Sequence, residues 1–238
     1  IKFWFFLAFF DPDFLEGRVT LTNVSVVDLT DLVAKRSDGS YVLRRAVTEE
    51  DCNRILAETY KVLSNIIPVH AKHMYDPLSH KGQIEIATTP YYHPILPLIC
   101  DSASASTCQP GDPMPPRFRY PEDAQAQVVK AVADFEGLFG RKPAGMWPAE
   151  GAVSEESASV FGQNGIQWIA ADEKILARST PAGLSKYRPY RTGPRRNDGS
   201  GPAIVFRDTE LSDRIGFTYQ HYRGEDAAKD FIAGVFQR

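Results

Sequence analysis

"AGMWPAEGAVSEESASVFGQNGIQWIAADEKIL", Ala144–Leu176, is the stretch on which the fold turns. "AGMWP" reads as a short apolar strand, and Val153 to Gly162 as a helix. "IQWIAAD", Ile166–Asp172, reads as a second apolar strand. A strand, a helix and a strand in close succession call for parallel strands joined by a helical crossover. The same alternation continues outward. Thr48 to Ile67 carries apolar residues every three or four positions, including Cys52, Ile55, Leu56, Val62 and Leu63, and predicts a helix stopped near Pro68. "IEIAT", Ile84–Thr88, predicts a short strand that breaks before Pro90. His93 to Pro116 is proline-rich and shows no period, so it reads as a long loop of the kind that often carries function.

Pro121, Glu122 and Asp123 open the next helix in a favourable way, with an inner stripe of Ala124, Val128, Ala131, Val132, Phe135 and Leu138 and an end at Gly140. "AIVFRD", Ala203–Asp208, predicts a further strand. Glu225 to Phe236 predicts a closing helix with a stripe of Ala228, Phe231, Ile232 and Val235. The result is an α/β class chain, compatible with either an open doubly wound sheet or a barrel. Polar residues favour the barrel. Glu85, Tyr91 to His93, Glu150, Asp172 with Glu173, and Arg207 with Asp208 fall in or just past four different strands, and a barrel builds its site from the carboxyl ends of successive strands. Four strands cannot close a ring, so part of a barrel is the reading. No linker marks a separate domain within residues 1–238.

Composition narrows the chemistry. Of 238 residues, 43% are hydrophobic and 24% charged, which supplies a core and argues against disorder. The net charge of -3 comes without long single-sign blocks, so a nucleic acid partner is not expected. The densest basic patch, Arg191–Gly201, reads as a solvated loop. "IKFWFFLAFF" is apolar for ten residues, but Asp11 and Pro12 end it well short of the roughly 20 needed to cross a bilayer. It predicts a buried strand or short core helix with no stable membrane insertion. It lacks signal-peptide features and a starting methionine, so the chain is expected to begin inside a larger protein. Cys52, Cys100 and Cys108 fit neither a disulfide framework nor a zinc spacing, which points to a reducing, cytoplasmic setting. The Asn23-Val24-Ser25 tripeptide carries no sign of secretion. His70, His73, Asp76 and His80 match no specific metal site, and no dinucleotide fingerprint, phosphate loop, HExxH or serine elbow is present.

What remains is carboxylates beside aromatic rings. Glycoside hydrolysis needs two carboxyl groups across the scissile bond, one attacking or activating water and the other protonating the leaving oxygen. Glu150 follows Trp147 and precedes Gly151, which sets an aromatic surface and a tight turn beside an acid. A helix-cap role is the competing reading. Asp172 and Glu173, after Trp168, suit either sugar hydroxyls or a cap, and Asp208 beside Arg207 suits either a sugar or an ion pair. His93 follows Tyr91 and Tyr92, an imidazole and two rings suited to holding and stacking a sugar, with a buried histidine bonded to the backbone as the competing reading.

"GQIEIATTPYYHPILPLICD" (Gly82–Asp101), "GMWPAEGAVS" (Gly145–Ser154), "WIAADEKIL" (Trp168–Leu176) and "FRDTELSDRIGFTY" (Phe206–Tyr219) resemble glycoside hydrolase family 57. "FWFFLAFFDPDFL" near the start resembles a stretch upstream of that family's catalytic centre. Within the family, the α-amylase and amylopullulanase branch is most similar in wording. The resemblance implies a retaining enzyme on α-glucans such as starch, glycogen or pullulan. It also implies an incomplete, TIM-barrel-like (β/α)7 barrel of which this chain is a portion, with no organic cofactor; the spacing above already gives no reason to expect a metal. Glu150 then corresponds to the nucleophile. Glu85, His93, Trp147, Asp172 and Glu173 match family positions near the substrate, and with Tyr91, Tyr92, Trp168 and Asp208, read from the residues themselves, they are the expected substrate contacts.

Two departures qualify the expectation. The family's His-Gln-Pro first region is absent. The general acid/base aspartate is expected downstream of the "LSDRIGF" stretch, past Arg238, and neither Asp172 nor Asp208 matches its position. A 4-α-glucanotransferase or branching enzyme, and an inactive carbohydrate-binding scaffold, are the competing functions.

Overall fold

The computed structural model describes residues 1–7, 10, 18–179, 181–193 and 201–238. Asp11 and Pro12, which end the apolar opening run, and residues 194–200 of the basic patch lie outside the described residues. Contacts group the chain into two compact units, Ile1–Glu85 and Ile86–Arg238.

In the first unit the opening run forms helix α1 (Lys2–Leu7), which buries Phe3 and Leu7 as a short core helix. Two small antiparallel hairpins follow. The first is β1 (Arg18–Thr20) with β2 (Val26–Asp28), and the second is β3 (Val33–Lys35) with β4 (Tyr41–Leu43). Arg18 pairs directly opposite Asp28, and their side chains form an ion pair at 2.6 Å. Helix α2 (Glu49–Ser64) starts at a reciprocal capping box between Thr48 and Asp51, and Arg45 binds both Asp51 oxygens at 2.6 and 2.7 Å. Val27, Leu29, Leu32, Val33, Cys52 and Ile55 close the core with Phe3, Leu7 and Phe10.

The predicted stop at Pro68 is corrected. Helix α3 (Ile66–His73) includes Pro68 as its third residue. The first-turn N–H groups of a helix have no carbonyl partner within it, so a missing one is tolerated there. The predicted "IEIAT" strand is corrected as well. It is reduced to isolated bridges, Met74 with Ile84 in this unit and Thr88 with Met146 in the next. Ile84 and Thr88 pair with different neighbours, so no continuous ladder forms between them.

In the second unit the passage read as one long loop contains α4 (Leu96–Cys100), a 3₁₀ turn at Ser102–Ser104 and α5 (Ala105–Cys108). Asp101 caps the 3₁₀ turn by accepting from the Ala103 N–H at 3.0 Å, and Arg117 grips its carboxylate. Helix α6 (Pro121–Phe139) has proline in its first turn and ends at Gly140 with φ +71°, a left-handed cap in which glycine meets no Cβ clash. Then come β5 (Gly145–Met146), α7 (Glu155–Gln163), β6 (Trp168–Asp172) and α8 (Glu173–Ala177). They are followed by β7 (Tyr190–Arg191), β8 (Ala203–Arg207), α9 (Thr209–Asp213), a π-helical turn at Arg214–Thr218 and α10 (Gly224–Phe236).

These strands make one four-stranded sheet in the order β5-β6-β8-β7. β5, β6 and β8 run parallel, and β7 is antiparallel on the edge. Val128, Ala131, Met146, Phe161, Ile166, Ile169, Ala171 and Ile204 pack between the sheet and its helices. The fold is α/β with parallel strands and helical crossovers. Among the described residues it is an unclosed sheet with two separate hairpins rather than a seven-stranded ring. The predicted inner stripe of α10 is also corrected: Ile232 and Val235 are exposed, and Gly234 is the buried residue. No helix among the described residues is long and apolar enough to cross a membrane.

Candidate active site

β5, β6 and β8 deliver their carboxyl ends on the same side of the sheet, as parallel strands must. Just past β5, Pro148 leads into a tight turn, Ala149–Gly151. Ala149 and Gly151 are buried in that turn while the Glu150 side chain is 67% exposed. Glu150 has φ +58° and ψ +15°, the left-handed region. A non-glycine residue there carries a steric penalty of about 1–2 kcal/mol. Gly151 follows at φ +66°, and a Cβ at that position would come within 3.5 Å of the Trp147 indole, so the ring edge lies beside the turn. The Trp147 N–H donates to the Thr88 carbonyl at 2.7 Å and ties this strand end to the segment carrying His93.

His93 is the residue that reaches Glu150. Its Nε2 lies 3.3 Å from Glu150 Oε1, and its Nδ1 lies 3.1 Å from Thr89 Oγ1. With the Thr89 hydroxyl donating to Nδ1, Nε2–H is free to donate to the carboxylate. That tautomer donates to one Glu150 oxygen and leaves the other open. Tyr92 and His93 are themselves left-handed, with φ +62° and +56°. Of the five non-glycine residues with positive φ among the described residues, three thus fall on the two segments that meet at this contact, a pattern associated with functional sites. Tyr91 is partly buried against the core, while Tyr92 is 75% exposed.

The acids past β6 and β8 are differently placed. Asp172 caps α8 through the Lys174 N–H at 2.9 Å, pairs with Arg207 Nε at 2.8 Å and accepts from the Thr209 hydroxyl. Asp208 caps α9 through the Leu211 N–H at 2.9 Å. It also accepts from Lys186 at 2.6 Å and Arg238 at 2.9 Å, and Lys186 bridges to Glu173 at 2.6 Å. Burial opposes the charge on Asp208, but the Leu211 N–H, Lys186 and Arg238 outweigh it and hold the carboxyl far below its ordinary range. Burial likewise opposes Asp172, which the Lys174 N–H, Thr209 and Arg207 draw down, and Lys186 lowers Glu173. Trp168 stands opposite Gly145 across the sheet. A Cβ on Gly145 would fall 2.2 Å from its indole, so the ring lies on bare backbone. Glu85 is exposed at the end of the first unit.

Of the residues expected at a site, Glu150, His93 and Trp147 therefore converge, with Tyr91 and Tyr92 next to His93 in the chain. Asp172, Glu173 and Asp208 form a separate ion-pair network. Thr89, Lys130, Lys186, Thr209 and Arg238 were not foreseen. Thr89 had the only visible signal, a hydroxyl just ahead of the "PYYHP" turn.

A match to the model of glycosyl hydrolase family 57 extends over residues 2–235, and the chain belongs to that family. Among solved structures, an α-amylase from Thermotoga maritima is 23% identical with a TM-score of 0.48, covering 70% of this chain and 27% of its own. A 4-α-glucanotransferase from Thermococcus litoralis is 20% identical with a TM-score of 0.45, covering 68% and 21%. A branching enzyme of the family 57 type from Pyrococcus horikoshii is 19% identical with a TM-score of 0.46, covering 71% and 28%. The chain thus spans between 21% and 28% of the length of these structures. No curated protein matches it.

Proposed function

We propose that residues 1–238 are a portion of the catalytic barrel of a retaining α-glucan hydrolase, and that this portion carries the nucleophile, Glu150. The observation that supports the reading most strongly is the Glu150 turn itself: an exposed carboxylate on strained backbone at a strand end, with His93 Nε2 at 3.3 Å as its hydrogen-bonding partner. In this mechanism a Glu150 oxygen attacks the anomeric carbon, and the C–O bond to the leaving sugar breaks. The leaving oxygen takes a proton from a general acid supplied outside residues 1–238. Water, deprotonated by that same group, then releases the sugar from Glu150. His93 orients the nucleophile, and Trp147 and Tyr92 offer rings to the apolar faces of pyranoses.

Asp172, Glu173 and Asp208 serve by fixing the ends of β6 and β8, a supporting role that their caps and ion pairs favour over direct sugar contact. Free Cys52, Cys100 and Cys108 support a cytoplasmic setting. The test is release of reducing sugar from starch or pullulan by the full-length protein. Glu150→Gln is expected to remove at least about a thousandfold of turnover with the fold intact. Unchanged turnover would refute the reading.

A further inference from the structure

We propose that Lys130, on the exposed face of α6, is a positioning residue for Glu150: it clamps Tyr91 and Tyr92 and so holds the left-handed turn that aims His93 at the carboxylate. The proposal rests on the role of Glu150 given above. The ammonium of Lys130 sits 4.2 Å from the Tyr91 ring centroid and 4.7 Å from that of Tyr92, and it donates to the Tyr92 hydroxyl at 3.0 Å. The two rings meet edge to face, 4.6 Å apart at 87°. One cation therefore engages both π systems and one hydroxyl. The Tyr92 hydroxyl raises the lysine's pKa, so the charge persists across the physiological range.

The turn needs such a hold. Tyr92 and His93 are consecutive non-glycine residues in the left-handed region, a conformation that L side chains resist. Tyr92 is too exposed for core packing to fix it. Helix α6 anchors the turn twice: the Gln127 carbonyl accepts from the Tyr91 N–H at 3.1 Å, and Lys130 lies one helical turn further on. At 3.3 Å the His93 to Glu150 contact is already long, so a small relaxation of the turn breaks it. α6 belongs to the core through Val128, Ala131 and Val132, which makes Lys130 the link from a rigid helix to an exposed catalytic turn.

The experiment uses the full-length protein with isotope-labelled histidine, the His93 ring resonance being assigned by His93→Gln. Lys130→Met keeps the stem but removes charge and donor, whereas Lys130→Arg keeps both. Lys130→Met is expected to shift the His93 resonance and to lower kcat on starch about three- to tenfold, with KM moving less than about twofold. Lys130→Arg is expected to restore both. An unmoved His93 resonance, an unchanged kcat despite a moved resonance, or an arginine variant as impaired as the methionine one would each overturn the proposal. If instead Glu150→Gln keeps full activity, the nucleophile assignment fails, and the His93 resonance alone decides whether Lys130 clamps the turn.

Discussion

Two kinds of strand end lie side by side in one sheet. Past β5, Glu150 is exposed, makes one long hydrogen bond and sits on left-handed backbone. Past β6 and β8, Asp172 and Asp208 sit on ordinary extended backbone, cap the following helices and are enclosed by Lys186, Arg207 and Arg238. All three are acids following a parallel strand, yet the first stores strain and leaves oxygen free while the others spend every interaction on stability. A carboxylate that already caps a helix and neutralises two cations has little left to offer a substrate. A strained, under-bonded one has its oxygen available.

Substitutions should therefore separate the two regions. The largest effect is on activity at the first: Glu150→Gln is expected to lose at least about a thousandfold of turnover, with unfolding free energy within about 0.5 kcal/mol of the parent by urea denaturation. Asp208→Asn is expected to behave in the opposite sense. It removes the carboxylate that Lys186 and Arg238 share, leaving Lys186 to Glu173 and Arg238 to Glu210, and should destabilise by about 1–3 kcal/mol in the same assay. Its side chain is only 13% exposed, so solvent does little to compensate.

Acid should weaken the second region. The folded-state pKa values of Asp172, Glu173 and Asp208 are depressed, so the stability they contribute is complete above their ordinary values near 4 and is lost as pH falls below that. Urea midpoints should fall with pH in that window, and the Asp208→Asn variant should show a shallower fall.

Two glycine experiments probe backbone rather than charge. Gly145→Ala drives a methyl group against the Trp168 indole and should destabilise by about 1–3 kcal/mol. Glu150→Gly removes the left-handed penalty and should stabilise by about 0.5–1 kcal/mol, net of the entropy glycine gives the unfolded chain, while abolishing activity. A destabilised Glu150→Gly would show that the turn is not strained and would erase the contrast between the two strand ends.

The elements that carry this contrast were legible before the structure, the contrast itself was not, and the missing part has a physical reason. Helix α6 announced itself with Pro121 and Gly140, and β6 and β8 with their apolar runs, because these elements are long enough to show a period. The hairpins of three-residue strands and the short α4 and α5 are too brief to do so. Tertiary contacts decided Ile84 and Thr88. Glu150 stood out by its place after a strand and beside Trp147, but glutamate does not advertise positive φ, so its strain was invisible. The cations that hold Asp208 were equally hidden, since Lys186 and Arg238 lie outside the periodic segments. Lys130 looked like any solvent-facing lysine on a helix, and only the approach of Tyr91 and Tyr92 in space distinguishes it.

The most direct test of Glu150 as the poised carboxylate is covalent trapping. The full-length protein would be treated with a slowly hydrolysed α-glycosyl substrate, digested, and its peptides weighed to locate the attached sugar. The adduct is expected on Glu150. An adduct on Asp172 or Asp208, or one that persists on another carboxylate in the Glu150→Gln variant, would contradict the assignment.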